Sequence, residues 1–334
     1  MSATVKFSFT LTLVLTALGA ACLASLFFGS QAYSPASILA GLGGATSGPE
    51  ASELHALIFG LRLPRTVLGF AVGAALGLAG ALTQIYTHNP LADPGLLGIT
   101  SGAGFGIVAG MALLGLTSAD QYIWTGLLSA TAAGALVLLL ADRIPSLDAT
   151  TSLILTGAVT GSLLGAATSA ISLLNPEISA NFQGWLTGSL IGRPLELLWV
   201  IGPFLLAGLV LTVINAAAWP SISLGDRLAQ SHGRNVARDR LVGVAAIVLL
   251  AAAATALAGP VAFIGLLAPH LARYLAGGHA VKTVILAAPT GATLLILADT
   301  VGRLMLQSGE LPVGITIALI GAPGFIFLAR GAIR

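Results

Sequence analysis

The residues that could carry chemistry are few in this sequence, and their spacing argues against an enzyme. Only 8% of the 334 residues are charged, and the five histidines are scattered. No histidine pair has the spacing of metal ligands on a helix face, so we expect no metal site and no cofactor. The sequence has neither a credible nucleophile–base pair nor a GxxxxGK[ST] loop for ATP hydrolysis. Asp299 and His270 remain as ionisable groups in apolar segments, where such groups are candidates for function.

Two arginines stand at the start of a long, glycine-rich apolar stretch, RLPRTVLGFAVGAALG at 62–77. Basic residues beside a membrane-spanning helix usually mark its cytoplasmic end. If the N-terminus lies in the cytoplasm and the spans alternate, ten lysines and arginines lie inside: Lys6, Arg143, Arg227, Arg234, Arg238, Arg240, Arg273, Lys282, Arg330 and Arg334. The four that lie outside are Arg62, Arg65, Arg193 and Arg303. The charge count favours this orientation, which predicts that the arginines of RLPR face outward.

The elements that must position these residues are membrane-spanning helices. The composition is 56% hydrophobic with a mean hydropathy of +0.98, whereas soluble domains carry about 25% charged residues. Helices satisfy their own backbone groups in lipid, and the period-two alternation of a barrel strand is absent. The sequence therefore predicts an all-α polytopic membrane protein, a single domain over 1–334. At about 20 residues per span, about ten transmembrane helices fit, near 8–29, 66–86, 97–116, 122–141, 151–173, 195–214, 241–258, 262–276, 283–301 and 313–329.

The N-terminal stretch KFSFTLTLVLTALGAACLASLFFG also resembles a secretory signal peptide, and Cys22 suggests a lipoprotein site. A secreted protein would continue with a soluble domain, whereas this chain continues with further apolar segments. We therefore interpret the stretch as the first span, with both chain termini in the cytoplasm. The single cysteine excludes an intrachain disulfide, and a net charge of +2 gives no indication of a nucleic-acid partner.

Glycines recur at four-residue spacing in three of the predicted helices. The rows are Gly69, Gly73 and Gly77; Gly98, Gly102, Gly106 and Gly110; and Gly157, Gly161 and Gly165. This spacing places each row on one helix face, where the missing side chains let neighbouring helices approach closely. The pattern predicts a compact bundle and says nothing about a substrate.

Polar residues gather in three stretches. THNPLADPGLLGITSGAG at 87–104 carries Asp93 and two prolines at the predicted cytoplasmic mouth, where it forms either a tight turn or part of a gate. The longest cytoplasmic loop, NAAAWPSISLGDRLAQSHGRNVARDR at 215–240, has a helical centre and is either a solvated face or a docking surface for a partner ATPase. In GPVAFIGLLAPHLARYLAGG at 259–278, the Gly-Pro pair breaks the preceding helix.

Several long motifs resemble those of the FecCD-type permeases. They are RLPRTVLGFAVGAALGLAGALTQIYTHNPLADPGLLGITSGAG, LGDRLAQSHGRNVARDR, GPVAFIGLLAPHLARYLAGG, ADTVGRL and ELPVGITIALIGAPGFIFLAR, in this order from about 60 to 330. Such permeases are the membrane subunits of bacterial ATP-binding cassette importers for ferric siderophores, haem and cobalamin. The resemblance implies a subunit of the cytoplasmic (inner) membrane that pairs with a second permease subunit, identical or different. It also implies two cytoplasmic ATPase subunits and a periplasmic or lipid-anchored substrate-binding protein.

The resemblance further implies roles for individual residues. Outward-facing arginines of the family pair with acidic residues of the binding protein, and they correspond to Arg62, Arg65 and Arg303. The residues that correspond to the ATPase-coupling pattern are Leu224, Gly225, Asp226, Ala229 and Gly233. The residues that fall where similar permeases narrow the cytoplasmic end of the pathway, as a gate, are Asn89, Leu91, Thr150 and Thr151.

The transported ligand is less sharply defined by sequence. SAISLLNPEISANFQGWLTGSL at 169–190 is most similar to the catecholate-siderophore branch, such as ferric enterobactin permeases, which favours a ferric siderophore over haem or cobalamin. No cluster of cations appears within the spans, so selectivity is expected in the binding protein. The alternative from another class is an ion-coupled secondary transporter. It would need paired ionisable groups at mid-membrane depth, for which Asp299 and His270 are the candidates.

Overall fold

The computed structural model describes residues 3–31, 33–42, 49–141, 143, 149–306 and 309–332. Within these residues the chain is helical and has no strand, as the composition predicts. The described α-helices are α1 (Ala3–Phe27), α2 (Pro35–Leu42), α3 (Pro49–His55), α4 (Leu63–Tyr86), α5 (Ile99–Leu114), α6 (Ala119–Ala141), α7 (Ala149–Leu174), α8 (Pro176–Leu186), α9 (Leu197–Ile214), α10 (Trp219–Ser223), α11 (Asp226–Ser231), α12 (Val236–Ala258), α13 (Ile264–Ala276), α14 (Ala280–Leu304) and α15 (Val313–Ala332). A π-helix, Ala56–Arg62, leads into α4, and 3-10 turns span Pro94–Leu97 and Ala216–Ala218.

All ten predicted spans fall on helices, but the count of ten spans stays a prediction. Within the described residues, seven helical stretches are long and apolar enough to cross a membrane: Val5–Phe27, Ser52–Tyr86, Gln121–Ala141, Thr150–Leu174, Leu197–Ile214, Val236–Ala258 and Ala280–Leu304. The other three predicted spans fall on α5, α13 and α15. Of these, α5 has 16 residues and α13 has 13, fewer than the about 20 that cross a bilayer in a straight helix.

Helix ends differ from the predicted boundaries where capping chemistry decides them. The Asn235 side chain accepts a hydrogen bond from the Arg238 amide (3.1 Å), so α12 begins at Val236, inside the predicted 215–240 loop. The break predicted from the Gly-Pro pair is confirmed, because α12 ends before Gly259, whose φ is +78°.

The centre of the bundle is formed by α4, α12 and α14. In the most apolar stretches of α4 and α12, 78% of the residues are buried within the chain, against 17% in α1 and 22% in α7 and α9. The N-terminal stretch belongs to the bundle, since α1 packs along α14. The outer helices therefore turn most of their apolar surface away from the chain.

Close approach through glycine is confirmed between α4 and α14. A Cβ atom on Gly73 would lie 2.5 Å from the carbonyl oxygen of Gly291, and one on Gly77 would lie 2.2 Å from that of Ala287. Real side chains do not approach backbone this closely. The two helices therefore pack backbone to backbone, which gains van der Waals contact in a lipid environment.

The other two glycine rows are only partly explained by packing inside the chain. Gly98 lies before α5 at φ +72°, whereas the remaining glycines of its row lie against α6. On α7, a Cβ on Gly157 would lie 2.2 Å from the carbonyl oxygen of Leu96. A Cβ on Gly165 would meet nothing within 4 Å. The expectation of close packing is therefore not met at Gly165, because none of the residues that the structure describes covers that face of α7.

Candidate functional site

A cavity of about 430 Å³ lies at the end of the bundle where α1 and α14 end and α4 begins. Its lining residues are Gly29, Ser30, Gln31, Leu57, Gly60, Leu61, Arg62, Arg65, Ile191, Gly192, Arg193, Pro194, Arg303 and Glu310. The four arginines among them are those that the charge distribution predicts to lie together on one membrane side. We call this feature the arginine cavity, defined by Arg62, Arg65, Arg193, Arg303 and Glu310.

Asp299 joins two of these arginines. It precedes Arg303 by four residues on α14, so the two side chains share a helix face. Asp299 Oδ2 accepts hydrogen bonds from Arg303 Nη2 (2.6 Å) and Nε (3.0 Å), and its Oδ1 accepts one from Arg65 Nη2 on α4 (2.7 Å). Asp299 and Arg303 are 2% exposed and Arg65 is 7% exposed, so two buried cations share one buried carboxylate. Such charges are tolerated only when they are paired.

Arg62 has a different set of partners, all of them backbone carbonyls. Its Nη1 donates to Leu26 (2.7 Å) and Phe27 (3.1 Å), and its Nη2 donates to Gln31 (2.6 Å). The last carbonyls of a helix lack partners within the helix and carry partial negative charge. Arg62 therefore caps the end of α1 and ties it to the start of α4.

Glu310 completes the network on the cavity side. Its Oε2 accepts a hydrogen bond from Arg65 Nη1, and its Oε1 accepts one from the Ser30 hydroxyl (3.0 Å). The Glu310 side chain is 22% exposed, against 3% for Asp299. On the buried side, Arg303 donates to the hydroxyl (2.7 Å) and the carbonyl (3.0 Å) of Ser25. The network thus connects α1, α4, α14 and the segment before α15.

The three arginines predicted for docking are thus brought together, but they are bonded within the chain rather than free. One usable signal for this was present in the sequence, because Asp299 and Arg303 stand four residues apart in an apolar helix. No comparable signal existed for Glu310, which is 245 positions from Arg65. Only the tertiary fold reveals that pair.

The predicted coupling loop, which we call the coupling segment (215–240), lies at the other end of α4, a helix about 36 Å long. Its helical centre is confirmed as α10 and α11. Between these two helices stands Leu224, which is 62% exposed, and Leu228 of α11 is 51% exposed. The coupling segment therefore presents two large apolar side chains at its surface.

The other predicted coupling residues shape this segment. Gly225 and Gly233 flank α11 at φ +106° and +74°, a region that glycine enters without steric cost. Ala229 is fully buried, and Asp226 accepts a hydrogen bond from Arg240 Nη2 on α12 (2.8 Å). These four residues hold α11 in place, which leaves Leu224 as the predicted residue with an exposed apolar side chain.

Polar contacts fix the coupling segment to the central helices. Asn215 Nδ2 donates to the hydroxyl of Tyr86 and to the carbonyl of Asp239, both at 2.6 Å. The ring nitrogen Nε2 of His88 lies 2.7 Å from the carbonyl oxygen of Ile222. The contact with Tyr86 joins the segment to the end of α4. The contact with Asp239 ties the start of the segment to its own last residues, which form the first turn of α12.

The predicted gate residues lie at two separate helix ends. Asn89 is half-buried and Leu91 is 55% exposed, and the Asn89 side chain accepts a hydrogen bond from the Leu91 amide (2.9 Å) just after α4. Thr150 and Thr151 belong to the first turn of α7. The gate role of these four residues stays a prediction.

The polar stretch after α4 contains a tight turn, one of the two alternatives that the sequence left open. Asp93 Oδ1 accepts a hydrogen bond from the Gly95 amide (2.8 Å), which starts the 3-10 turn Pro94–Leu97. Burial raises the pKa of the Asp93 carboxyl above its ordinary value, and this hydrogen bond opposes the shift. The turn brings the chain back to begin α5.

These features define a multi-pass helical membrane protein with a charged surface at each end of its bundle and no P-loop in its sequence. Residues 15–331 match the FecCD transport family, and the chain belongs to that family. The resemblance first recognised in the motifs is thereby confirmed over nearly the whole chain.

Individual relatives agree with the family assignment. The chain is 38% identical over 314 residues to the ferric enterobactin transport system permease protein FepD of Escherichia coli (strain K12), and the aligned residues cover 93% of this chain and 91% of FepD. It is 36% identical over 281 residues to the Fe(3+)-citrate import system permease protein YfmD of Bacillus subtilis (strain 168), and the aligned residues cover 84% of this chain and 83% of YfmD. A solved structure described as an inward-facing conformation of a metal-chelate type ABC transporter matches with a TM-score of 0.82 at 27% identity, over 96% of this chain and 98% of that chain.

Proposed function

We propose that this chain is the transmembrane permease subunit of an ATP-binding cassette importer that carries a ferric siderophore across the cytoplasmic membrane. The main support for this proposal is that the arginine cavity and the coupling segment lie at opposite ends of α4, in a chain of the FecCD transport family. A permease without a P-loop takes its energy from an ATPase on one side and its ligand from a binding protein on the other. One end of the bundle is therefore assigned to the ATPase and the opposite end to the binding protein.

The coupling segment is the proposed cytoplasmic surface for two ATPase subunits, reached through a dimer with a second permease subunit. Leu224 and Leu228 are its exposed apolar anchors, and buried apolar anchors dominate the energetics of protein interfaces. The bonds from Asn215 to Tyr86 and Asp239 give ATPase movements a rigid route to α4 and α12. Asn89, Leu91, Thr150 and Thr151 are the proposed gate at this side.

The arginine cavity is the proposed docking site for acidic side chains of the binding protein. Four arginines line it and two carboxylates, Asp299 and Glu310, offset them, so a net positive charge remains. Arg193 has no ion-pair partner among the described residues and is half-buried, which makes it a docking charge in addition to the three predicted ones. Complementary charge of this kind mainly steers encounter and fixes register.

The proposed substrate class follows from what the relatives share. FepD is named for ferric enterobactin and YfmD for Fe(3+)-citrate, so both names describe a ferric chelate. The stretch 169–190 favours a catecholate siderophore. Haem and cobalamin are the alternatives within the same family, and they are separated by the uptake assay below.

An ion-coupled secondary transporter is disfavoured by the surroundings of its main candidate residue. Both carboxylate oxygens of Asp299 accept hydrogen bonds from arginines, so a proton carrier at this position would have to break two buried ion pairs in each cycle. Transport driven by a partner ATPase makes no such demand on Asp299.

We expect uptake by the reconstituted complex to require both ATP and the apolar surface at Leu224. Proteoliposomes that contain the permease, its ATPase and its binding protein should accumulate ⁵⁵Fe from a ferric catecholate, and Leu224→Asp should abolish accumulation. A charge at an interface anchor costs about 2 kcal/mol or more, or at least about 30-fold in affinity for the ATPase. ATPase co-purification and uptake are the two measurements.

Gln230→Asp is the matched control, because Gln230 is exposed on α11 of the same coupling segment and already polar. It should retain uptake. Full uptake by Leu224→Asp would remove the coupling assignment, and uptake that follows a proton gradient without ATP would favour the secondary transporter. Accumulation of haem or cobalamin in place of the ferric catecholate would replace the substrate and keep the family function.

The orientation predicts which end a membrane-impermeant maleimide reaches from outside. In a Cys22→Ser background, which removes the chain's only cysteine, Glu196→Cys and Gln230→Cys place one exposed thiol at each end. Intact protoplasts or spheroplasts should label position 196, and position 230 should label only after permeabilisation. The reverse pattern would contradict the assignment of the coupling segment to the cytoplasm.

A further inference from the structure

The arginine cavity already contains a carboxylate from the chain itself. Glu310 lies in the short segment between α14 and α15, and its side chain accepts hydrogen bonds from Arg65 Nη1 and from Ser30 (3.0 Å). It is thus bound in the manner that an acidic side chain of a docking partner would be. Among the described residues, no second arginine forms an ion pair with Glu310.

The two carboxylates at Arg65 differ in how they are held. Asp299 is enclosed, with a side chain 3% exposed, and it neutralises Arg65 and Arg303 together. Glu310 is 22% exposed, and among the described residues its one ion-pair partner is Arg65. When Glu310 leaves, Arg65 keeps its bond to Asp299, so the loss exposes no wholly unpaired cation.

The backbone beside Glu310 is anchored independently of its side chain. The Leu311 amide donates to the carbonyl of Gly302 (3.1 Å), which holds the segment against the end of α14. Gly309 has φ +88°, where glycine is favoured, and it completes the reversal of the chain. A glutamate side chain has three rotatable bonds, so its carboxylate can swing out of the cavity while this backbone stays in place.

We propose that Glu310 is an internal competitor for docking: its carboxylate fills the place at Arg65 that an acidic side chain of the binding protein takes, so docking exchanges one carboxylate for another. This inference rests on the proposed function. The exchange keeps Arg65 paired throughout the cycle and makes release of the binding protein easy, since Glu310 returns as the partner leaves.

Removing the competitor should tighten docking. In Glu310→Gln the amide keeps the size of the side chain and a hydrogen-bonding atom for Ser30, but the cavity gains one net positive charge. Close charge pairs at interfaces have coupling energies that correspond to tenfold or more, so we expect the binding protein to bind at least about tenfold more tightly. The gain should shrink at high ionic strength.

The experiment uses the whole complex of permease and ATPase subunits in nanodiscs. The probe is the substrate-binding protein that co-purifies with the unaltered complex, and its dissociation constant is measured for the unaltered chain, Glu310→Gln and Glu196→Gln. Glu196→Gln removes an exposed carboxylate near the same end without touching the cavity lining, and it should leave the affinity unchanged. An equal or weaker affinity for Glu310→Gln would overturn the proposal.

A chemical probe supplies a second measurement. Phenylglyoxal modifies accessible guanidinium groups, and mass spectrometry can follow the rate at Arg65. We expect faster modification of Arg65 in Glu310→Gln, and slower modification when the binding protein is added. If Glu310→Gln fails to fold, Glu310→Asp, which withdraws the carboxylate by one methylene, should give a smaller gain in affinity and in labelling. No gain in either variant means that Glu310 is only a structural tie.

The outcomes separate this inference from the function on which it rests. If no binding protein associates with the unaltered complex, the importer assignment is wrong. If it associates with the unaltered complex and with Glu310→Gln equally, the importer assignment stands and the competitor role is wrong.

Discussion

An Asp299→Asn variant should give a much lower yield of folded protein, because the Asp299 carboxylate is paired with two buried arginines. Asp299 and Arg303 are 2% exposed, and Arg65 is 7% exposed. Removing one partner of a buried ion pair costs about 3–5 kcal/mol, since the remaining charge stays buried without compensation. Marginal stability makes a loss of this size visible as low yield. Size-exclusion profiles and thermal unfolding of the purified chain measure it.

The design of this test separates lost pairing from lost charge. Glu196→Gln removes an exposed carboxylate and should unfold like the unaltered chain. In Asp299→Asn, Arg65 keeps Glu310, and Arg303 is the buried cation left without a carboxylate among the described residues. Adding Arg303→Met removes this cation and should recover part of the stability, although Ser25 loses its hydrogen bonds to Arg303. An Asp299→Asn protein with unchanged yield and unfolding temperature would show that water reaches the cluster and screens it.

Sequence alone predicted the helices, but not the network at the arginine cavity. Apolar runs must be helical in lipid, so the ten segments could be placed from composition. The distribution of charge predicts that Arg65 faces outward, and this orientation stays a prediction. The pairing of Arg65 with Asp299 and Glu310 depends on how α4 and α14 meet, and those partners are 234 and 245 positions away.

In the coupling segment, too, some features were predicted from the sequence and others are known only from the structure. Its helical centre was predicted from local sequence, whereas the chain reversals at Gly225 and Gly233 are known from the structure. Local sequence does not reveal that Ala229 is buried or that Leu224 is exposed, because both depend on the neighbouring surface of the bundle. The resemblance to a family supplied the proposed role of the segment but not which of its side chains points outward.

A Gly80→Ala variant should be the most damaging single-methyl change in the core. A Cβ on Gly80 would lie 1.9 Å from the carbonyl oxygen of Gly265 and 2.7 Å from its Cα. All of these neighbours are backbone atoms, which cannot move aside as a flexible side chain can. Overpacking costs about 1–3 kcal/mol in ordinary cores and more where the backbone must shift, so we expect about 3 kcal/mol here. Thermal unfolding of the purified chain measures the effect.

The crossing at Gly80 involves three elements, which is why relaxation is difficult. A Cβ on Gly265 of α13 would itself lie 2.7 Å from Cδ of Pro94 and 3.0 Å from Oδ2 of Asp93. Separating α4 from α13 therefore pushes α13 against the turn that follows Leu91, a proposed gate residue. We expect uptake to fall together with stability, because this turn lies between the bundle and the proposed cytoplasmic gate.

Gly165→Ala is the matched comparison, and it also distinguishes two meanings of glycine spacing. The row that contains Gly165 has the same four-residue period as the row in α4, yet a Cβ at Gly165 meets nothing within 4 Å. In the isolated chain, alanine should therefore be neutral or stabilising by up to about 1 kcal/mol, through helix propensity. A loss of stability there would show that α7 packs more tightly than the structure indicates. Loss only in the assembled complex would place the second permease subunit against α7, since a glycine face that the chain leaves open is then covered by the partner.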